Sequence, residues 1–432
     1  MSAAVRIAKF DKNAQITVLE KSGVVSFGAC GIPYYLAGEF ADIDAMTARP
    51  LQDFIDSGID IHLFHAAVKL DTQKKTVVAH DTQNEQNKEF GYDRLMIATG
   101  ASPVRIPVDG IDLGNVHTMH SRADAITLKE KVRDAQHIVI VGAGYIGVEA
   151  AEAFQSLHKS VTLIEYAPRI LGRSFDIQIT ELLEQQLINK GINLRLGESV
   201  TGLQGDQGLV STVFTDKASY KADLVIMATG FNPNTAFLAD SGIELSPQKA
   251  IIVDNQGRTN IPDIFSAGDC ATVTHCITGA SYIPLATSAN KLGRIAGEAM
   301  AGKNNSFIGT LGSAGIRCFD LEAGRTGLSE EEAKSLQLNY ATVFIKDKNR
   351  TNYVLPQTDM WVKLIYDKKS RQLLGGQICG TYMGGAVHRV DALAVAVFTR
   401  LRVDELAFID FIYAPPFART WDILNIAGNV AK

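Results

Sequence analysis

His137-Ile138-Val139-Ile140-Val141-Gly142-Ala143-Gly144-Tyr145-Ile146-Gly147 decides the fold. Five residues rich in β-branched side chains read as a buried strand, and the glycines after them mark a sharp turn into a helix over Val148 to Leu157. A second strand, Val161 to Ile164, ends in Glu165, about 20 residues beyond the loop. Strand, G-x-G-x-x-G, helix, strand and acid in that order predict a dinucleotide-binding βαβ unit. The glycines divide the work among them, with a tight turn at Gly142, backbone access for a pyrophosphate at Gly144 and close helix packing at Gly147. The helix N-terminus then faces the phosphates.

Glu165 can bond both hydroxyls of a ribose and would repel a 2′-phosphate, which favours NADH over NADPH. Arg169 and Arg173 follow closely; they read either as solvated surface charge or as partners of such a phosphate. Outward from this unit, Asp93 to Gly100 and Asp223 to Gly230 share one pattern, an apolar strand ending in Ala-Thr-Gly. That repeat predicts two related nucleotide-binding domains. Thr259 to Asp269 reads as a further strand with an acid at its C-terminal end, followed by a helix over Ala286 to Met300. From about Thr310 the texture changes to strands and hairpins, as in Met360 to Asp367, before a helical run over Ala386 to Arg400.

The 432 residues carry a net charge of −5, so no polycationic surface argues for nucleic acid or membrane partners. No apolar run reaches the roughly 18 residues of a membrane span, and no signal peptide is visible. Five cysteines (Cys30, Cys270, Cys276, Cys318, Cys379) are scattered and odd in number, which excludes a disulfide scaffold and predicts a reducing cytoplasm. None has metal-ligand spacing with histidines, so no metal is expected. Cys30 alone sits among small residues, in Ser26-Phe27-Gly28-Ala29-Cys30-Gly31-Ile32-Pro33-Tyr34-Tyr35. A helix beginning there would favour its thiolate; an inert buried thiol is the other reading.

Together these motifs resemble the pyridine nucleotide-disulfide oxidoreductases over nearly the whole chain. A single Cys30, with Tyr35 where a second redox cysteine would stand, points to the one-cysteine branch of coenzyme A-disulfide reductases, NADH oxidases and NADH peroxidases. The resemblance implies an α/β fold of two doubly wound domains, for FAD and NAD(P)H, with a C-terminal α+β dimerisation domain. The implied segments are 1–111 and 239–307 for FAD, 112–238 for NAD(P)H, and 308–432 for a homodimer interface. It implies FAD contacts from Glu20, Thr99, Gly100, Asp269, Leu285 and Ala286, and nucleotide contacts from Gly142, Gly144, Tyr145, Gly147, Glu165 and Gly230. Tyr145 would gate the flavin. Tyr413 and Tyr353 match paired active-site tyrosines that the family supplies from the other subunit; each also reads as an ordinary half-buried phenol. Arg6 and Lys9 on the first helix, with Lys69, are the candidates for a coenzyme A phosphate, and each also reads as an ordinary surface cation.

The implied reaction carries electrons from NADH or NADPH through FAD to Cys30 and on to coenzyme A disulfide, another disulfide or a persulfide. NADH oxidation by dioxygen is the alternative. The family begins with a strand and a glycine loop ahead of the residues that match Met1 to Ala4. The expectation is therefore of an FAD-binding part without its first strand and phosphate cradle, a start read late at an internal methionine, and weak FAD retention. A flavin-deficient, non-catalytic homologue is the competing reading of another class.

Overall fold

The computed structural model describes residues 1–431. They form two compact units: Met1–Tyr35, Phe40–Pro103 and Phe231–Thr310 make the first, and Leu36–Glu39, Val104–Gly230 and Leu311–Lys432 the second. The crossover falls at Pro103, in a connection bracketed by Pro103 and Pro107 in which Val104 and Ile106 are half-buried and Arg105 is exposed. Segments 104–230 and 311–432 belong to one unit because buried polar bonds join them, among them Asp176 N–H to Gln377 Oε1 at 2.9 Å.

In the second unit five parallel strands follow the order Asn193–Leu196, Ser160–Glu165, His137–Val141, Leu224–Met227, Val116–His117. His137–Val141 is central, and Ile138 to Val141 are buried, as a strand covered on both faces requires. The helix after the glycine loop runs Tyr145–Ser156, beginning three residues before the periodicity places it, because Gly144 already stands at the N-cap position. The C-terminal segment folds as a five-stranded antiparallel sheet in the order Ala314–Cys318, Leu321–Gly327, Leu373–Thr381, Asp359–Asp367, Tyr340–Lys348. Helix Ala386–Phe398 packs on its middle strands; Val390 and Leu393 supply the buried stripe.

The first unit holds its parallel strands as two pairs, Ile16–Glu20 with Ile59–Leu63 and Leu95–Ile97 with Ile264–Ser266. Among the described residues no strand joins Ile16–Glu20 to Leu95–Ile97. The apolar run around Leu95 pairs over only three residues, and the Thr99-Gly100 end leaves the sheet through Gly100 at φ +66°. The first helix, Ser2–Phe10, lies on Ala286–Met300 at small residues: a Cβ on Gly297 would stand 2.5 Å from the Ala3 carbonyl oxygen. Ile97, Ile251, Ile264 and Leu292 centre the main apolar core of this unit.

Candidate active site

The glycine loop turns tightly and lets the helix close on it. Gly142 turns at φ +100°, and a Cβ there would lie 2.4 Å from the Ala228 carbonyl oxygen. Gly147 lets the helix close on the loop, since its Cβ would come within 1.9 Å of the Gly142 carbonyl oxygen. Gly144 meets nothing within 4 Å, which leaves its backbone open to a ligand. Glu165, at the end of its strand, accepts the Ala143 N–H at 2.7 Å and the Ala167 N–H at 2.9 Å. This open backbone beside a fixed acid fits the phosphates and ribose of a nicotinamide dinucleotide.

Tyr145 is the first residue of the helix, its ring tilted against Phe175 with centroids 6.3 Å apart. Burial raises its phenol pKa, against a smaller lowering from Ser174 and Arg325. One helical turn on, Glu149 is pushed up to about 7, by burial first and by Glu152 second, with Arg317 opposing. Sequence reasoning missed Glu149; its i+4 spacing from Tyr145 was the available signal. Arg169 is not solvated surface charge: its guanidinium bonds the Phe175 carbonyl at 2.5 Å and the Gly172 carbonyl at 3.2 Å and pairs with Glu331. Arg173 is exposed and reaches the Tyr166 hydroxyl at 3.2 Å.

In the first unit Cys30 is exposed, on the turn Ala29–Gly31 that leads into the short helix Ile32–Ala37. The turn is fixed from the Met46 side: Gly28 N–H donates to the Met46 carbonyl at 2.7 Å, and a Cβ on Gly31 would strike the Met46 sulfur at 2.6 Å. Cys270, Cys318 and Cys379 are buried, and burial pushes the Cys379 thiol up to about 12. Thr99 and Thr229 play matching parts in the two Ala-Thr-Gly endings. Thr99 Oγ1 donates to the Asn234 carbonyl at 2.7 Å, Thr229 Oγ1 to the Val104 carbonyl at 2.6 Å, and Gly230 turns at φ +105°.

Glu20 closes its strand, with one oxygen taking the Ser22 N–H and hydroxyl, each at 2.7 Å. Asp269 follows the positive-φ Gly268, and its carbonyl accepts the Tyr282 hydroxyl at 3.0 Å. Helix Ala286–Met300 opens at Leu285 and Ala286 without a side-chain cap, leaving amide donors for a ligand oxygen. These acids and open amides fit the ribose, ribityl and ring ends of FAD.

Tyr353 and Tyr413 are brought together: the side-chain hydrogen bond between them is the largest cause raising the Tyr413 pKa, ahead of desolvation. Both are exposed, at 69% and 45%. Of the phosphate candidates, Arg6 and Lys9 both lie over the Phe10 ring, 4.7 and 5.7 Å from its centroid. Arg6 is paired with the buried Glu298, and Lys9 and Lys69 are exposed.

Residues 1–293 match the family described as pyridine nucleotide-disulphide oxidoreductase, and residues 313–423 match that family's dimerisation domain. An NAD(P)H coenzyme A polysulfide/persulfide reductase of Pyrococcus horikoshii is 36% identical, with 100% of this chain and 96% of that protein covered. The structure of an NAD-dependent persulfide reductase from A. fulgidus superposes with a TM-score of 0.95 at 33% identity, covering 99% of this chain and 80% of that one. A water-forming NADH oxidase from Lactobacillus brevis, bound to NADH, gives 0.95 at 32% identity, covering 99% and 94%. No helix among the described residues is long and apolar enough to cross a membrane.

Proposed function

Because the chain belongs to the pyridine nucleotide-disulphide oxidoreductase family, we propose that this oxidoreductase reduces a coenzyme A-linked persulfide or disulfide with NADH, through FAD and Cys30. The observation that carries the reading is Cys30 itself, exposed on a fixed turn, with Tyr35 where an internal disulfide partner would stand. Its thiolate attacks one sulfur of RS–SR′; the S–S bond breaks, and Cys30 is held as a mixed disulfide with RS while R′S⁻ departs. Tyr413, a phenol protonated at neutrality, gives R′S⁻ its proton and recovers one from solvent. FAD, when bound, relays the two electrons of NADH to sulfur. They break the mixed disulfide, freeing the Cys30 thiolate and RSH. The sum is RSSR′ + NADH + H⁺ → RSH + R′SH + NAD⁺.

On this chain Glu165 and Gly144 hold and orient the nucleotide, and Tyr145 covers the ring site until nicotinamide arrives. Glu20, Thr99, Gly100, Asp269, Leu285 and Ala286 hold the flavin, and Gly230 borders the nucleotide domain. Tyr413 and Tyr353 are delivered by a second copy of the chain. In support, Tyr353, Leu355, Ile412 and Phe417 are exposed apolar or aromatic side chains on the segment that matches the dimerisation domain. The setting is the cytoplasm. NADH oxidation by dioxygen through a Cys30 sulfenate is the second reading, favoured by the likeness to the oxidase. An oxygen electrode separates them: NADH-driven oxygen uptake without added disulfide supports the oxidase, and rapid NADH loss that requires coenzyme A disulfide or persulfide supports the reductase.

A further inference from the structure

The segment Tyr166 to Asp176 leaves the end of the Glu165 strand and wraps the glycine loop. Leu171 N–H donates to the Ala143 carbonyl at 2.9 Å, and Phe175 sets its ring against Tyr145. The outer side of this segment is gripped by the antiparallel-sheet domain. Arg325, 7% exposed, donates to the Ser174 carbonyl at 2.8 Å and pairs with Glu332 at 2.7 Å. Glu331 holds Arg169. Asp176 and Gln377 bond reciprocally, N–H to Oε1 at 2.9 Å and Nε2 to carboxylate at 2.8 Å. The Asp176 carboxylate also takes the Glu330 N–H at 3.0 Å and faces the Lys363 ammonium at 3.4 Å.

Lys363, with 1% of its side chain exposed, is one of the largest fully buried side chains of the described residues. It bonds Gln178 Oε1 at 2.8 Å and pairs with Glu330, so each charge in the cluster has partners. An apolar seam of the same size would hold the two layers together as well or better. What a polar cluster hydrogen-bonded in this way adds is direction, because its bonds fix one arrangement of the segment.

We propose that Arg325, Lys363 and Gln377 are positioning residues for the nicotinamide site: they hold Tyr166 to Asp176 in the one arrangement that sets Tyr145 and Glu165 for the nucleotide. Affinity for NADH is thereby tied to the antiparallel-sheet domain. This rests on the reading of Tyr145 and Glu165 given above.

NADH fluorescence titration of the full chain, with steady-state kinetics, tests it. Arg325→Gln raises the NADH Kd and KM about tenfold, with kcat changed less than about twofold. Arg325→Lys, which keeps a donor and the charge, recovers most of that loss. Gln377→Leu gives a second route should Lys363→Met fail to fold. The control is Arg371→Gln, which breaks comparable bonds in the same domain, to Asp404 at 2.7 Å and the Ala431 carbonyl at 3.1 Å. It lowers the thermal midpoint and leaves NADH affinity unchanged. The proposal is overturned if Arg325→Gln and Gln377→Leu bind NADH as the parent does, or no more weakly than Arg371→Gln. Tyr145→Ala and Glu165→Ala locate the fault. If they weaken NADH binding while Arg325→Gln does not, the grip alone is wrong; if they too bind normally, the nucleotide reading falls and takes this proposal with it.

Discussion

The two nucleotide-binding regions share a plan and differ in how they assemble it. In the second unit all the proposed nucleotide contacts but Gly230 come from one stretch, His137 to Glu165, on a sheet whose central strand pairs on both sides. In the first unit the proposed flavin contacts come from four distant places, Glu20, Thr99-Gly100, Asp269 and Leu285-Ala286, around strands that pair two by two. Glu20 and Glu165 both end a parallel strand, but Glu165 also accepts an amide of its own glycine loop, at Ala143. A contiguous cradle fails through a single steric error, whereas a dispersed one loses its ligand by degrees. Mutations can separate the two.

The largest effect belongs to chemistry rather than binding. Cys30→Ser removes the one exposed cysteine among the described residues and costs about 10³-fold or more in disulfide turnover. The second unit is untouched, so NADH affinity stays at the parental value in the same fluorescence titration. Loss of nucleotide binding in that variant would break the division of labour. Next comes Gly147→Val, whose side chain meets a carbonyl at 1.9 Å; NADH affinity drops about a hundredfold and the thermal midpoint falls. Gly144→Ala, at a position with open space, folds normally and weakens NADH binding by only about tenfold, through the ligand rather than the fold.

Smaller and more selective is the exchange of the two acids. Glu165→Ala lowers NADH affinity about tenfold and narrows the preference over NADPH, with the flavin content of the purified protein unchanged. Glu20→Ala does the converse, lowering flavin content and leaving NADH affinity alone. If each variant disturbs both nucleotides equally, the regions are not separate sites.

How much of this was legible depended on sequence distance. The fingerprint from His137 to Glu165 announced its strand, turn, helix and acid because all contacts are local. Glu20, Asp269 and Ala286 carried no local signal of a shared ligand; only the resemblance to a family grouped them. Arg169 left two readings open, solvated charge or phosphate partner, since nothing nearby in sequence shows that Glu331, from another segment, holds it. Lys363 did carry a signal, a lysine inside the apolar run Met360 to Tyr366, but its partners Asp176 and Gln178 lie far off in the chain. Tyr353 and Tyr413 follow as a pair from their family pattern, and their shared hydrogen bond is a long-range fact that no spacing rule supplies.

The mildest prediction concerns pH. Glu149 rises from its ordinary 4.5 to about 7, so the folded state binds its proton more tightly than the unfolded chain does. Its contribution to stability is greatest below 4.5, declines as pH rises through the window to about 7, and is level above it. The stability difference between the parent and Glu149→Gln, from thermal or urea unfolding, shifts against the parent across that window by at most a few kcal/mol. A difference that is flat with pH contradicts the burial argument.

The central claim, that NADH electrons reach substrate sulfur through Cys30, is tested most directly by intact-protein mass spectrometry. The protein, loaded with FAD and treated with coenzyme A disulfide, gains one coenzyme A adduct, which peptide mapping places on Cys30. Anaerobic NADH then removes the adduct and releases coenzyme A thiol. An adduct that forms on another cysteine, or one on Cys30 that survives NADH in flavin-replete protein, contradicts the account.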